Sequence, residues 1–291
     1  MPLQEKYINP LTDFGFKKLF GTEANKDLLI DFLNQILPEK HQIENLTFGK
    51  NEHQGDHQND RIAVFDIFCK SNEGEHFIVE IQRKSQLNFK DRSIFYSTFP
   101  IHANAKKGKD WDFKLPAIYT IAILDFTFDD YKDNPNIIHQ IKLKDEDGKV
   151  FYDKLNYIYI ELPKFTKKLE ELETHFDKWL FVLKWLSGLQ NRPKLLQERI
   201  FKKLFKIAEI AKYNKMERAQ YEQNLKQYRD LNNVVTYAEQ KGMEKERAEK
   251  NLVIIKTGLE ENLSLDLIAK LTNLSIDEVK QIIAEQGWEI S

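Results

Sequence analysis

Apolar residues concentrate in two short runs near residue 70, and each run has the pattern of a buried strand. Residues 62–69 (IAVFDIFC) and 77–82 (FIVEIQ) are rich in β-branched and aromatic side chains, and turn-forming residues flank them. Neither run alternates cleanly between apolar and polar positions, which is typical of strands buried on both faces. Each run nevertheless carries a carboxylate near its middle, Asp66 and Glu80. Such a carboxylate needs a counter-charge, hydrogen bonds or a metal ion.

The residues between the runs predict a β-hairpin with a defined register. A three-residue loop at 72–74, with Gly74 at positive φ, is a common hairpin turn. Counting back along both strands places Asp66 opposite Glu80, with Cβ atoms roughly 4.5–5.5 Å apart. Like charges at that distance repel, and a divalent cation between them would remove the repulsion. Alternatively, each carboxylate pairs with its own Arg or Lys and only closes the core; the convergence of two mid-strand carboxylates favours the functional interpretation.

The strand face that carries Glu80 holds further polar residues. Side chains of equal parity share a face, so Glu80, Gln82 and Lys84 point together. Two carboxylates, an amide that can orient water and a nearby cation are the groups needed for metal-assisted phosphodiester hydrolysis. Hard oxygen ligands favour Mg2+, with Mn2+ as an alternative. The candidates for holding phosphates or supporting the carboxylates here are Arg61, Arg83, Lys84 and Arg92.

The rest of the first 165 residues mixes helical and strand patterns and predicts an α/β fold. The first helix begins near Asp13, with Thr12 or Asp13 as its cap. A continuously hydrophobic run at 117–126 indicates a central strand. The other predicted helices lie at 25–37 and 91–106, and the other predicted strands at 43–48, 137–143 and 156–161.

From residue 166 onward the pattern is helical. The predicted helices are 166–189, 194–213, 215–250, 252–259, 265–271 and 276–285. The helix at 215–250 is highly charged with a narrow apolar stripe, as in a solvated connector or a dimerising helix. The last two helices have helix-turn-helix spacing, but Asp277 and Glu278 are unfavourable in a DNA groove, so we favour a packing or dimerisation module. The predicted domains are 1–213, a connector at 214–250 and a three-helix module at 251–291.

Composition limits which functions and which cellular compartments we expect for this chain. The chain has 291 residues with 44 basic and 46 acidic side chains, so DNA binding would require a local basic patch. A single cysteine, Cys69, excludes an intrachain disulfide and a cysteine zinc cluster. No phosphate-binding loop, dinucleotide fingerprint or nucleophile elbow occurs. We see no apolar leader and no run of transmembrane length, and we therefore expect a cytoplasmic protein without a membrane partner.

Several stretches together resemble a known family. The hairpin resembles the PD-(D/E)XK nuclease superfamily, whose sites use an Asp on one strand and a Glu-x-Lys on the next. More closely, the chain resembles the recombination-promoting nucleases, also described as PD-(D/E)XK family transposases. The stretches that carry the resemblance are TDFGFKKLFG at 12–21, DRIAVFDIFC at 60–69, FIVEIQ at 77–82, KDRS at 90–93 with YSTFP at 96–100, and 117–128.

The resemblance implies a restriction-endonuclease-like core, a central mixed β-sheet flanked by helices, with a helical C-terminal extension. It also implies DNA cleavage that depends on a divalent metal, Mg2+ or alternatively Mn2+, in recombination or phage defence. Asp66 and Glu80 would be the metal ligands, and Asp13 is either a further metal-site carboxylate or only a helix cap. Gln82 stands where the wider superfamily has lysine, and Lys84 is the candidate that compensates.

Two further expectations concern partners. Lys17 on the first helix joins the candidates for binding DNA phosphates. Many nucleases need two active sites to cut both strands, so we expect a homodimer through the C-terminal helices. The alternative function is a catalytically weak DNA-binding or protein-interaction scaffold that keeps the fold, which Gln82, the acidic balance and the long charged helix favour.

Overall fold

The computed structural model describes residues 5–38, 41–53, 63–86, 88–104 and 114–289. Helices and strands follow one another in the first two thirds of the chain, and helices alone make up the last third. The α-helices in chain order are α1 (Asp13–Phe20), α2 (Lys26–Asn34), α3 (Phe89–Ala103), α4 (His175–Trp185), α5 (Arg199–Ala208), α6 (Lys215–Glu260), α7 (Leu265–Thr272) and α8 (Ile276–Gln286).

A mixed six-stranded sheet forms the centre of the fold. The strands are β1 (Leu46–Phe48), β2 (Glu52–His53), β3 (Ala63–Val64), β4 (Ile67–Ser71), β5 (His76–Gln82), β6 (Ile118–Leu124), β7 (Ile138–Lys144) and β8 (Val150–Glu161). Their order in the large sheet is β1-β4-β5-β6-β8-β7, and β5, β6 and β8 run parallel. This confirms the predicted α/β class with a mixed sheet flanked by helices. The predicted central strand, β6, lies between β5 and β8, and all of its residues are buried.

The predicted hairpin is confirmed in its loop and its register. The backbone N–H of Ser71 donates to the carbonyl of Glu75 at 2.9 Å, and Gly74 has φ of 87°. The antiparallel pairs run from Lys70 with His76 to Ile67 with Val79. One further step along this register places Asp66 opposite Glu80.

The first hairpin strand is not continuous through Asp66, contrary to the sequence-based expectation. β3 ends at Val64 and pairs with β2 in a separate two-stranded sheet, whereas β4 begins at Ile67. The backbone of Phe65 and Asp66 leaves the ladder between them. The apolar run alone could not indicate this break, because Phe65 is as deeply buried as Ala63 before it and Ile67 after it.

The two faces of β5 pack into different clusters. Phe77, Val79 and Ile81 belong to the main core. Ile78 on the opposite face packs in a smaller cluster that includes Phe65 and the α3 side chains Tyr96 and Phe99. Cys69 on β4 is fully buried in the main core, as expected for a small packing residue, and burial raises the pKa of its thiol.

Helices α1, α2, α4 and α5 cover one face of the sheet with large aromatic side chains. Phe20 and Phe32 both contact Trp179 with ring centroids 5.7 Å apart, and Trp179 contacts Phe201 at 5.1 Å. Thr12 caps α1 by accepting the Gly15 N–H. This packing holds α1 against the sheet.

Helix α4 is shorter than the predicted helix at 166–189. Thr174 ends the preceding extended segment with a reciprocal capping box, in which its hydroxyl accepts from the Asp177 N–H and its own N–H donates to the Asp177 carboxylate. Such a box defines a helix start more strongly than an apolar pattern does. Residues 169–171 form only a short 3-10 turn.

The chain divides into two compact units, residues 1–228 and 229–291. The division falls inside α6, and the three domains expected from the sequence stay a prediction. α6 also includes residues 252–259, predicted as a separate helix, because no glycine or proline occurs between residues 243 and 257. In the second unit, Ile255, Ile268, Val279 and Ile283 form a small core. Within the described residues, no helix combines the length and apolar character needed to cross a membrane.

Candidate active site

Asp66 and Glu80 are linked by hydrogen bonds where the β4–β5 ladder ends. The backbone N–H of Asp66 donates to Glu80 Oε1 at 3.1 Å, and the backbone N–H of Ile81 donates to Asp66 Oδ2 at 2.8 Å. One step beyond the last strand pair, side-chain carboxylate oxygens thus accept the backbone N–H groups in place of strand carbonyls. Glu80 is buried and Asp66 is half-buried. The structure therefore brings the two predicted ligands together.

Asn51 fixes the bend that carries Asp66. Its Nδ2 donates to the Asp66 carbonyl at 2.9 Å, and its Oδ1 accepts the Phe68 N–H at 3.1 Å. Its own carbonyl accepts the Phe65 N–H at 2.8 Å. Sequence reasoning missed Asn51, because a single asparagine in a polar stretch gives no sign that it bridges a strand break.

The electrostatics of the pair favour a bound cation. Burial raises the pKa of Asp66 above its usual range. Burial, reinforced by the charge of Asp66, raises the pKa of Glu80 to about 8. The ion pairs among the described residues include none between either carboxylate and a lysine or arginine. In this part of the chain, the alternative of two separate core ion pairs therefore finds no support.

Gln82 is held by hydrogen bonds on both sides of its amide. Its Nε2 donates to the Lys84 carbonyl at 2.9 Å, and its Oε1 accepts a hydrogen bond from the Arg92 guanidinium. Arg92 also donates to Gln86 at 2.6 Å and lies 5.7 Å from the centroid of the Tyr96 ring. Its charge lowers the pKa of Glu80, although less than burial raises it. A cation of α3 is thus fixed beside residue 82.

Helix α1 brings Asp13 and Lys17 to the same region. Lys17 Nζ lies 2.7 Å from Asp13 Oδ1, and both side chains are partly exposed. Burial is the main influence on the pKa of Asp66, but Lys17 lowers it and Asp13 raises it. Within the described residues, no three His, Cys, Asp or Glu side chains form a group that could hold a metal ion. A ligand role for Asp13 stays a prediction.

The remaining basic candidates separate into different surroundings. Arg83 lies close enough for its charge to lower the pKa of Asp66. Lys84 instead lies near Asp125, where its charge lowers the pKa of that carboxyl against the larger effect of burial. Only the carbonyl of Lys84 contacts Gln82. Arg61 lies outside the described residues.

Asp125 is a further carboxylate at this edge of the sheet that sequence reasoning did not single out. It follows β6, and its N–H donates to the Gln82 carbonyl at 2.9 Å. Its Oδ2 accepts a hydrogen bond from the Tyr228 hydroxyl at 2.8 Å. β5 and β6 are parallel, so residues that follow their carboxyl ends meet at one edge, and this rule could have indicated Asp125.

The donor set fits a hard divalent cation. Asp66 and Glu80 offer carboxylate oxygens with no paired cation in the described region. A cation between them would stabilise both ionised carboxylates and so offset the burial that raises both pKa values. Mg2+ is commonly bound through one or two carboxylates, with waters and substrate phosphates completing its shell. Two protein carboxylates are therefore sufficient. Cationic groups of Lys17, Arg83 and Arg92 surround them and match a phosphate-bearing substrate.

Comparison with known families gives a match over most of the chain. A family model described as PD-(D/E)XK nuclease family transposase matches residues 10–238, which include α1, the whole sheet and Asp66, Glu80 and Gln82. No curated protein and no solved structure matches the chain significantly.

Proposed function

The chain belongs to the PD-(D/E)XK nuclease family transposases, and from this premise we propose that it is a divalent-metal-dependent DNA endonuclease that acts in recombination or phage defence. Membership of this family supports a function of the nuclease or transposase type and implies DNA as the substrate. The observation that carries the finer proposal is the hydrogen-bonded pair of Asp66 and Glu80 at the end of the β4–β5 ladder.

Asp66 and Glu80 are the residues that would hold the ion, Mg2+ or Mn2+. An ion held by these two carboxylates would polarise the scissile phosphate and lower the pKa of water. The backbone N–H groups that contact the two carboxylates fix their orientation before substrate arrives. Asp13, whose side chain is partly exposed in the first turn of α1, is the proposed third carboxylate near this site.

The positive groups around the pair would orient DNA and offset charge on the phosphate. Arg92 is held in place by Gln82 and Gln86, which orients its guanidinium beside Glu80. Lys17 and Arg83 contribute charge on the Asp66 side. Arg92 thus supplies the cation that Gln82 lacks, and we assign this role to Arg92 rather than to Lys84, which lies near Asp125.

Nicking of supercoiled plasmid by the purified full chain tests the proposal. We expect nicking in Mg2+ or Mn2+, none in EDTA, and a loss of at least about 10²-fold in Asp66→Ala and Glu80→Gln. Glu73→Gln is the matched control, because this exposed glutamate lies in the loop of the same hairpin. Wild-type nicking no faster than that of Asp66→Ala in either metal would refute the nuclease.

The second candidate function is a catalytically weak scaffold that binds DNA or protein. It is favoured by the amide of Gln82, whose nitrogen and oxygen already have hydrogen-bond partners in Lys84 and Arg92. Calorimetric titration with Mn2+ separates the candidates. Binding that Glu80→Ala abolishes supports the nuclease, and no binding at millimolar metal supports the scaffold.

We also propose a homodimer through the C-terminal helices. Apolar side chains of α6 that are 40–65% exposed support this, namely Leu231, Val234, Tyr237 and Met243. The mass by light scattering should be that of a dimer, and a monomeric mass that deletion of 215–291 leaves unchanged would contradict it. Because the proposed substrate is DNA inside the cell, we also propose a cytoplasmic location, which cell fractionation would test.

A further inference from the structure

One face of the first third of α6 carries four polar side chains that contact the sheet unit. Glu217, Tyr221, Asn224 and Tyr228 follow one another at spacings of four, three and four residues, which places them in a row on one helix face. All four belong to the compact unit of residues 1–228. The sequence alone indicates only a charged helix with few apolar positions.

Two of these residues hold α1. Glu217 forms an ion pair with Lys18 at 2.5 Å, and Asn224 Oδ1 accepts the backbone N–H of Phe14 at 3.1 Å. The Phe14 N–H lies in the first turn of α1, where backbone donors have no partner within the helix. Asn224 thus fixes the start of the helix that carries Asp13 and Lys17.

Tyr221 fixes the segment that leads into α1. Its hydroxyl accepts the backbone N–H of Asn9 at 2.9 Å and donates to the Glu5 carboxylate at 3.0 Å. Its ring is 2% exposed and lies 6.0 Å from the Phe14 ring. A buried hydroxyl that has both a donor and an acceptor partner holds a segment in one arrangement.

Tyr228 reaches the other side of the candidate site. Its hydroxyl donates to Asp125 at 2.8 Å, and the Arg83 guanidinium lies 5.9 Å from the centroid of its ring. Asp125 is itself bonded through its N–H to the Gln82 carbonyl. Tyr228 therefore connects the carboxyl ends of β5 and β6 and orients Arg83, whose charge acts on Asp66.

We propose that residues 217–228 of α6 are a positioning brace of the active site, which holds α1 on one side of Asp66 and Arg83 on the other. The inference rests on the proposed function. Asn224 and Tyr228 are positioning residues, because they act through Phe14 and Arg83 and do not touch the reacting groups. The brace also means that displacement of this helix segment lowers activity without any change at Asp66 or Glu80.

The experiment uses the full chain with Tyr228→Ala, Tyr228→Phe and Asn224→Ala. Gln223→Ala is the matched control, because this glutamine next to Asn224 on the same helix is exposed. We expect Tyr228→Ala and Asn224→Ala to lower the nicking rate by about tenfold. Tyr228→Phe should retain an intermediate rate, since it keeps the ring beneath Arg83 and loses only the bond to Asp125.

A double-mutant cycle separates positioning from stability. If Tyr228 acts through Arg83, the Arg83→Ala/Tyr228→Ala variant should nick no more slowly than Arg83→Ala alone. Additive losses, or rates equal to wild type in Tyr228→Ala and Asn224→Ala, would overturn the brace. If Tyr228→Ala and Asn224→Ala lower the melting temperature equally, and their losses in nicking rate add to that of Arg83→Ala, the two residues have a merely structural role and the brace is rejected.

Hydrogen exchange tests the brace independently of catalysis. We expect Asn224→Ala to speed amide exchange in residues 13–17 by about tenfold while exchange in β6 stays as in wild type. If the wild-type chain does not nick DNA, the nuclease proposal fails and exchange alone decides the brace. Unchanged exchange at 13–17 then rejects it.

Discussion

Arg92 donates a hydrogen bond to the side-chain oxygen of Gln82, so a guanidinium from α3 stands beside the residue expected at the superfamily's lysine position. We predict that Arg92→Ala lowers the plasmid nicking rate by about 10²-fold, because the site loses a fixed positive charge. Arg92→Lys should recover only part, since lysine cannot contact Gln82 and Gln86 at once. A nicking rate for Arg92→Ala within twofold of wild type, which corresponds to a change of about 0.4 kcal/mol in activation free energy, would contradict this role.

Glu80 should make the metal-free protein less stable as pH rises. Its folded-state pKa of about 8 lies above its unfolded value of 4.5, so the folded state binds the proton more tightly. The free energy of unfolding therefore falls between about pH 4.5 and 8. We predict that Glu80→Gln raises the melting temperature at pH 8 by about 4–8 °C in EDTA, corresponding to roughly 2 kcal/mol.

Saturating Mn2+ provides the control for that measurement. It should remove the advantage of Glu80→Gln at pH 8, because the metal binds only the wild-type site. A pH-independent difference between the two proteins would contradict the assignment to Glu80.

Gly15 in α1 should not tolerate a side chain. A Cβ at this position would lie 2.1 Å from the Asn9 carbonyl oxygen and 2.7 Å from the Thr12 hydroxyl. We predict that Gly15→Ala destabilises the first unit by about 1–3 kcal/mol in urea denaturation. The matched control is Gly242→Ala in α6, where nothing lies within 4 Å and helix propensity favours alanine by about 1 kcal/mol. Equal effects of the two substitutions would contradict the close approach.

Glu161 should be essential for stability and irrelevant to metal binding. Its side chain is fully buried at the end of β8 and contacts Lys164 at 2.5 Å and His139 at 2.9 Å. Although burial raises it, hydrogen bonds from Lys164 and His139 hold the pKa of Glu161 below its usual value. We predict that Glu161→Ala costs about 3–5 kcal/mol, since it leaves a buried cation without its partner. The measurements are urea denaturation and calorimetric Mn2+ titration, and a weakened Mn2+ affinity in the folded variant would contradict this separation.

The sequence predicted the hairpin in detail because its determinants are local. Gly74 specifies the loop, and the loop length specifies the register that sets Asp66 opposite Glu80. Residue parity also placed Glu80 and Gln82 on one face of β5, where Arg92 of α3 acts on both side chains. Short-range rules were sufficient for the two residues on which the proposed chemistry depends.

The features that escaped prediction depend on contacts distant in sequence. Lys84 follows the end of β5, where strand parity no longer applies, and its charge acts on Asp125. Asn51 and Tyr228 act through partners that no periodicity indicates, such as the carbonyl of Asp66 and the carboxylate of Asp125. The break at Phe65 is hidden because an aromatic residue suits both a strand and a buried bend.

The complete burial of Cys69 has a practical consequence for following this molecule in solution. It is the only cysteine of the chain, and its thiol is shielded within β4 with a raised pKa, so thiol reagents should not reach it in the folded state. A cysteine introduced at Gln223, which is exposed on α6, would therefore be the single reactive position. The native sequence thus already permits site-specific attachment of a spin label or fluorophore to α6 without prior removal of other thiols.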